Sequence, residues 1–441
     1  MDPPDTSEDL KRPSQGKDRV IEKYLTQFAE PEISDLAVPS IFEVALVIPA
    51  FQESASTIGQ LIKSLPSTCL PILVINAPEE DAPTLNLFRA MGALPTIAFG
   101  RHWSLRTHGQ AQQLLVFEYC LDGHYPPPKQ GVGLARKVGV DAALKLHQQG
   151  VLQSDRIYLT DADATLPRDY FSTSWPKQAG AVVFPYLHRL SGSNEAKRAT
   201  LLFECRLRHY ESGLRYAGSR YAYPTLGSLI GVRAGAYAAA RGMPKRAAGE
   251  DFYLLNKLRK LGDVARLSCR PIRLENRASA RVPMGTGPSL IQLIDALSDG
   301  RMPGFYNPSS FESLKCLLDT LWNLETPDQI LQIDDAAIQD FAETTDLLMT
   351  LEQLRNAART QSRLQQSLLE WFDGFRQLKF IHFLRDRHHP LVTLEQAISA
   401  PWFNETSRAG FSQVRYRQLR TLATGFAETA MGPVISRRSP P

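Results

Sequence analysis

Residues 156–163 read Arg-Ile-Tyr-Leu-Thr-Asp-Ala-Asp. The first half, RIYLT, is a short run rich in apolar and β-branched residues, which predicts a buried strand. The second half sets Asp161 and Asp163 one residue apart where that strand ends. In open α/β sheets, ligands bind beyond the carboxyl ends of the strands. Two carboxylates there suit a hard divalent cation, Mn2+ or Mg2+, which neutralises a diphosphate and stabilises it as a leaving group. A solvated turn, or a cap on the following helix, uses the same residues. Taken alone, the triplet does not choose between these readings.

On the N-terminal side, residues 44–48 (VALVI, closed by Pro49) and 71–75 (PILVI) are continuous apolar runs, expected as buried parallel strands. Ile58, Leu61, Ile62 and Leu65 lie between them at helical spacing. Residues 94–99 form a weaker third run, and 181–184 (AVVF) and 228–232 (SLIGV) read as further strands. Strands alternating with helices predict an α/β sheet with right-handed crossovers. Beyond Gly287 helical stripes take over, among them Leu290, Leu293, Ile294 and Leu297, then Leu347, Leu348, Leu351 and Leu354, then Leu364, Leu368 and Phe372. The expected organisation is an N-terminal tail and short helix over 1–40, an α/β domain over 41–287 and a helical region over 288–441. The tail is expected to reach about residue 18, with the helix within 19–36. The dense C-terminal stripes require a partner surface.

The chain of 441 residues is 43% hydrophobic and 22% charged, ordinary for a globular protein. A net charge of +4 argues against nucleic acid as a partner. The five cysteines, Cys69, Cys120, Cys205, Cys269 and Cys316, are odd in number and form no CxxC pair. That spacing predicts neither a disulfide framework nor a zinc site and fits a reducing, cytoplasmic setting. The polar start lacks the apolar core of a signal peptide. No run approaches the ~18 apolar residues of a membrane span.

Gly249-Glu250-Asp251 precedes FYLLNKLRKLG, where Leu254, Leu255, Leu258 and Leu261 form a stripe closed by Gly262. Glu250 and Asp251 therefore start a helix. Acids favour that position for electrostatic reasons alone, and the helix dipole is expected to lower their pKa. Gly131-Val132-Gly133-Leu134-Ala135-Arg136-Lys137 also opens an amphipathic helix. Arginine at 136 rules out a dinucleotide fingerprint. Two glycines with Arg136 and Lys137 near a helix start suit a diphosphate, and equally suit close helix packing with solvated basic tips.

In this order the pieces resemble the family-2 glycosyltransferases. That family opens on a VIPAxNE-like strand end, here Val47-Ile48-Pro49-Ala50-Phe51-Gln52-Glu53. It continues with a G-x-x-x-AR-N/K segment (Gly131 to Lys137), a DxD (Asp161, Asp163), a GS strand (Gly227-Ser228) and a GED (Gly249 to Asp251). The resemblance spans about residues 43–267. It implies the GT-A fold, a Rossmann-like nucleotide-binding mixed α/β sheet, here with a helical C-terminal region. It also implies metal-dependent transfer of a sugar from a nucleotide-sugar donor to an acceptor hydroxyl on a sugar, a lipid-linked or a small anionic molecule. Asp161 and Asp163 would hold the metal. Pro49, Ala50, Glu53, Asn76, Gly133, Arg136, Lys137 and Asp161 would meet the donor. Asp251, with Glu250, would be catalytic, in an inverting, non-processive reaction. A retaining transferase and a non-catalytic binding protein on the same scaffold remain alternatives.

The chain departs from the family after its second strand. Ile75-Asn76-Ala77-Pro78-Glu79-Glu80-Asp81 replaces a VDDGSxD-like turn. The stretch 82–130 is longer than a minimal version needs. Segment 204–223 mixes Arg206, Arg208, Arg215 and Arg220 with tyrosines, suiting an anionic acceptor or an amphipathic helix. Residues 277–287 suit a loop closing over the donor, or a linker between domains.

Overall fold

A computed structural model describes residues 12–109, 112–121, 123–127, 129–403, 417–419 and 421–422, with side chains from residue 19 onward. The chain forms two compact units. The first runs to Arg189 and takes in Thr225–Glu275 and Ala280–Gly285; the second holds Leu190–Pro224, Asn276–Ser279 and the chain from Thr286 onward. Residues 190–224, read from sequence with the sheet domain, thus group with the C-terminal helices.

The first unit is built on strands β1 (Val44–Ala50), β2 (Cys69–Asn76), β3 (Thr96–Phe99), β4 (Trp103–His108), β5 (Gln112–Tyr119), β6 (Arg156–Leu159), β7 (Ala179–Val183), β8 (Tyr186–His188), β9 (Ile230–Arg233), β10 (Asp263–Arg266) and β11 (Ile272–Leu274). Among the described residues nine of them make one sheet in the order β10-β7-β9-β6-β1-β2-β5-β4-β3, and β8 pairs with β11. The centre is parallel: β1 lies between β2 and β6, and β5 follows β2. Both flanks carry antiparallel pairs, β9 with β6 and β7, and β4 with β5 and β3. This is a mixed α/β sheet accompanied by a helical C-terminal region, as the resemblance implies. The centre was legible because β1 and β2 are almost wholly buried and therefore continuously apolar. On the flanks β3, β7 and β9 were expected as strands, whereas β4 and β10 were not. β4 alternates Trp103 and Leu105 with Ser104 and Arg106, yet all four are buried, and β10 is short and half-exposed.

Four helices serve the sheet before the chain first leaves it: α1 (Arg12–Gln27), α2 (Ala55–Lys63), α3 (Ala82–Gly92) and α4 (Gly131–Gln148). Helix α1 starts earlier than the expected tail allows. Helix α4 packs tightly on β1, since a Cβ at Gly139 would lie 2.4 Å from Val47 Cγ1. After α5 (Asn194–Tyr216), which belongs to the second unit, α6 (Ala234–Ala239) and α7 (Glu250–Leu261) return to the sheet.

In the second unit α8 (Thr286–Ser298) and α9 (Pro308–Trp322) pack on α5, and five more helices follow as far as Leu394–Ile398. Leu201, Leu202, Cys205 and Leu214 of α5 share one buried core with Phe311, Leu314, Leu347, Leu351, Leu364, Leu368 and Phe372. A Cβ at Gly213 would strike the Phe311 ring at 2.5 Å, so α5 and α9 approach closely. Arg206 donates to Gly304 O at 3.1 and 2.8 Å, and Arg215 to Glu211 at 2.6 Å. The 204–223 segment is mostly an amphipathic helix of this unit. Trp103, Trp175 and Trp402 are buried. Among the described residues no helix is long and apolar enough to cross a membrane.

Candidate active site

Three motifs distant in sequence meet at one guanidinium. Arg136, in the first turns of α4, is 5% exposed. Its Nη2 donates to Asp161 Oδ1 at 2.5 Å, just past the end of β6. Its Nη1 donates to Glu250 Oε1, 114 residues away at the start of α7. Glu250 is 2% exposed, so this pair is out of water. Room for the guanidinium depends on Gly227, where a Cβ would fall 2.3 Å from Cζ. That contact is a physical reason for a glycine in the Gly227-Ser228 motif. Gly249 caps α7 in the left-handed region, φ 73°, where glycine alone is unstrained.

Asp251 follows Glu250 and is half-buried. Its Oδ1 accepts from the Phe252 N–H at 2.7 Å. Burial, and then the neighbouring Glu250 carboxylate, push its pKa up to about 7 against the opposing pull of Arg136. The expectation that the helix dipole lowers it is thus corrected. A dipole is a half-charge effect, whereas desolvation and a second carboxylate both act directly on the ionised form.

Asp161 and Asp163 supply hard oxygen donors, the type that Mn2+ and Mg2+ prefer. Although bonded to Arg136, the Asp161 side chain stays 42% exposed, so it keeps surface to offer a cation. These residues fit the implied metal.

Several residues expected at the donor have partners within the protein. Arg136 is engaged by two carboxylates. Lys137 is buried, and its Nζ donates to Tyr24 Oη (2.8 Å), Phe28 O (2.7 Å) and Asp141 Oδ2 (2.7 Å), holding α1 onto α4. The Gly133 N–H donates to Arg246 O at 2.9 Å, and a Cβ there would lie 2.5 Å from that oxygen. The start of α4 is therefore covered by the chain at 244–247, and the close-packing alternative describes its glycines. Sequence spacing separated neither case, because a basic side chain and a glycine look alike whether buried or offered to a ligand.

At the carboxyl end of β1, Pro49 and Ala50 pair in register with Val74 and Ile75, which brings them beside Asn76 at the end of β2. Asn76 is 5% exposed, and its Oδ1 is a buried acceptor with no hydrogen-bond partner. Gln52 adopts φ 54° and donates from Nε2 to Asp81 Oδ1 at 2.9 Å. Glu53 pairs with Arg281 at 2.7 Å, and the same guanidinium donates to Phe51 O (2.7 Å) and Gln52 O (3.1 Å). Part of the 277–287 segment is thus strapped over the end of β1. Its loop character was visible in the sequence, but Arg281 as the strap was not, for lack of any local signal.

No family model matches the chain, and no curated protein matches it. Among solved structures, the chain is similar to S. aureus TarS in complex with UDP-GlcNAc, at 12% identity and a TM-score of 0.35, over 76% of this chain and 92% of that one. It is also similar to the mannosyltransferase PcManGT from Pyrobaculum calidifontis in complex with GDP-Man and Mn2+, at 14% identity and a TM-score of 0.34, over 85% and 97% of the two chains. With superpositions this loose, the functional reading rests on the site's own residues.

Proposed function

We propose that this protein transfers a sugar from a nucleotide-sugar donor to an acceptor hydroxyl with inversion, as a metal-dependent GT-A glycosyltransferase of the family-2 type. The observation that carries the reading is the junction at Arg136, which joins the acids after β6 to those starting α7. Asp161 and Asp163 would hold Mn2+ or Mg2+, which when bound offsets the negative charge of the leaving diphosphate. Arg136 holds Asp161 and the buried Glu250 in fixed positions. Glu250, committed to Arg136, is a positioning residue. Asp251 is the carboxylate left to take the acceptor proton, and a base of pKa near neutrality is well matched to that task. Asn76, beside Pro49 and Ala50, would border the nucleoside at the end of β2.

The test is a panel of nucleotide sugars incubated with the full-length protein and Mn2+, measuring release of nucleoside diphosphate. At least one donor should be turned over, and chelator or Asp163→Ala should abolish the release. Turnover unaffected by either would overturn the metal assignment. A product of retained anomeric configuration would overturn inversion.

A further inference from the structure

The long stretch 82–130 contains a second cluster of metal-binding side chains. His102 precedes β4, Glu118 lies near the end of β5, and His124 comes after it. One ligand atom of each lies within 4.8 Å of the others. Strands β1 and β2 separate β5 from β6, so the cluster stands roughly 14 Å across the sheet from the strand that ends at Asp161. We propose that His102, Glu118 and His124 form a second divalent-metal site with a donor set that suits zinc.

Backbone contacts hold the three residues in place. The Glu118 N–H donates to His102 O at 3.3 Å. Gly123 adopts φ 77°, and the His124 N–H donates to Leu121 O at 2.7 Å. The His124 ring lies on that of His102, with centroids 3.7 Å apart and planes 19° apart.

His124 Nδ1 lies 3.1 Å from Glu118 O. As an N–H donor to that carbonyl it leaves Nε2 as the ligand atom, the usual outer-shell arrangement of a metal-binding histidine. His102 Nδ1 lies 2.5 Å from Glu118 Oε1. A tetrahedral zinc about 2.0–2.1 Å from each atom needs them about 3.3 Å apart. Ligation requires His102, whose side chain is 28% exposed, to turn off the His124 ring and away from the buried Glu118 carboxylate, so that both ring nitrogens face one position. Two nitrogens and one carboxylate oxygen are a zinc donor set rather than a magnesium or calcium one, with a fourth position for water. The site uses no cysteine, which is why cysteine spacing did not reveal it. It does not depend on the transferase reading. Bound zinc would pin His124 to the β4–β5 pair.

The experiment titrates Zn2+ alone, without nucleotide, into chelator-treated full-length protein against a chromophoric chelator. One equivalent should bind. His102→Gln and His124→Gln should each weaken it by at least about tenfold, and Asp163→Ala should leave it unchanged. In wild-type protein, Zn2+ should protect His102 and His124 from acylation, read by peptide mass spectrometry, a measurement that needs no folded variant. No stoichiometric binding, or unchanged labelling of these two histidines, would leave an imidazole stack with a hydrogen bond only and overturn the proposal.

Discussion

Arg136 is a buried cation held between two carboxylates, and Asp251 is the carboxylate it does not hold. Removing one partner from a buried ionic network leaves uncompensated charge. Arg136→Met is expected to lower unfolding free energy by about 3–5 kcal/mol, read from urea denaturation without metal or nucleotide. Little loss would mean that Glu250 is better solvated than its burial indicates. Asp251→Asn keeps the shape and removes the proton acceptor. Turnover is expected to fall by about 10²–10⁴-fold with donor affinity nearly unchanged. In the wild type, kcat/KM should rise with pH through about 7 as Asp251 ionises. Stability carries the opposite sign. A carboxyl whose folded pKa is raised contributes fully below its unfolded value, and that contribution is lost as pH rises through about 7. A flat rate profile across neutrality, with turnover preserved in Asp251→Asn, would remove Asp251 from the chemistry.

Among the helices, α5 takes a polar residue into the core of the second unit. His209 is 1% exposed and lies edge-on or tilted against Phe305, Phe311, Trp402 and Phe403. Burial pushes its pKa down to about 3. Between that value and the unfolded value near 6.5, the unfolded chain binds more protons. Its contribution to stability is therefore intact above about pH 6.5 and lost as pH falls toward 3. Acid unfolding monitored by helical circular dichroism should begin at lower pH in His209→Gln than in the wild type, once the two are compared relative to their neutral-pH stabilities. Superimposable pH dependences would show that His209 does not govern the acid limb.

For the molecule as a whole, the helical unit draws on two separated parts of the chain. Leu201, Leu202, Cys205 and Leu214 share a core with side chains that lie beyond residue 287. A protein ending at 287 would expose them on α5, and it is expected to aggregate at concentrations where the full chain is monodisperse. Light scattering checks this. A soluble truncated protein with the full chain's melting behaviour would show that α5 needs none of those partners.

Local sequence was enough to determine the centre of the sheet. β1, β2 and β6 are buried stretches whose apolar character is complete within each segment and independent of the rest of the chain. It also determined that the DxD and GED acids stand at a strand end and a helix start, since those positions are local. The role of each side chain there was decided by tertiary structure. Arg136 and Lys137 are neighbours on one helix, yet one joins the two acidic motifs and the other joins α1 to Asp141. The upward shift of Asp251 comes from burial and from Glu250, and burial is not written in local spacing. The His102–Glu118–His124 cluster is assembled from three places with no common spacing, before β4, on β5 and after it. A pairing between distant residues depends on how the strands are ordered, and that order comes from the burial of the whole sheet rather than from any one segment.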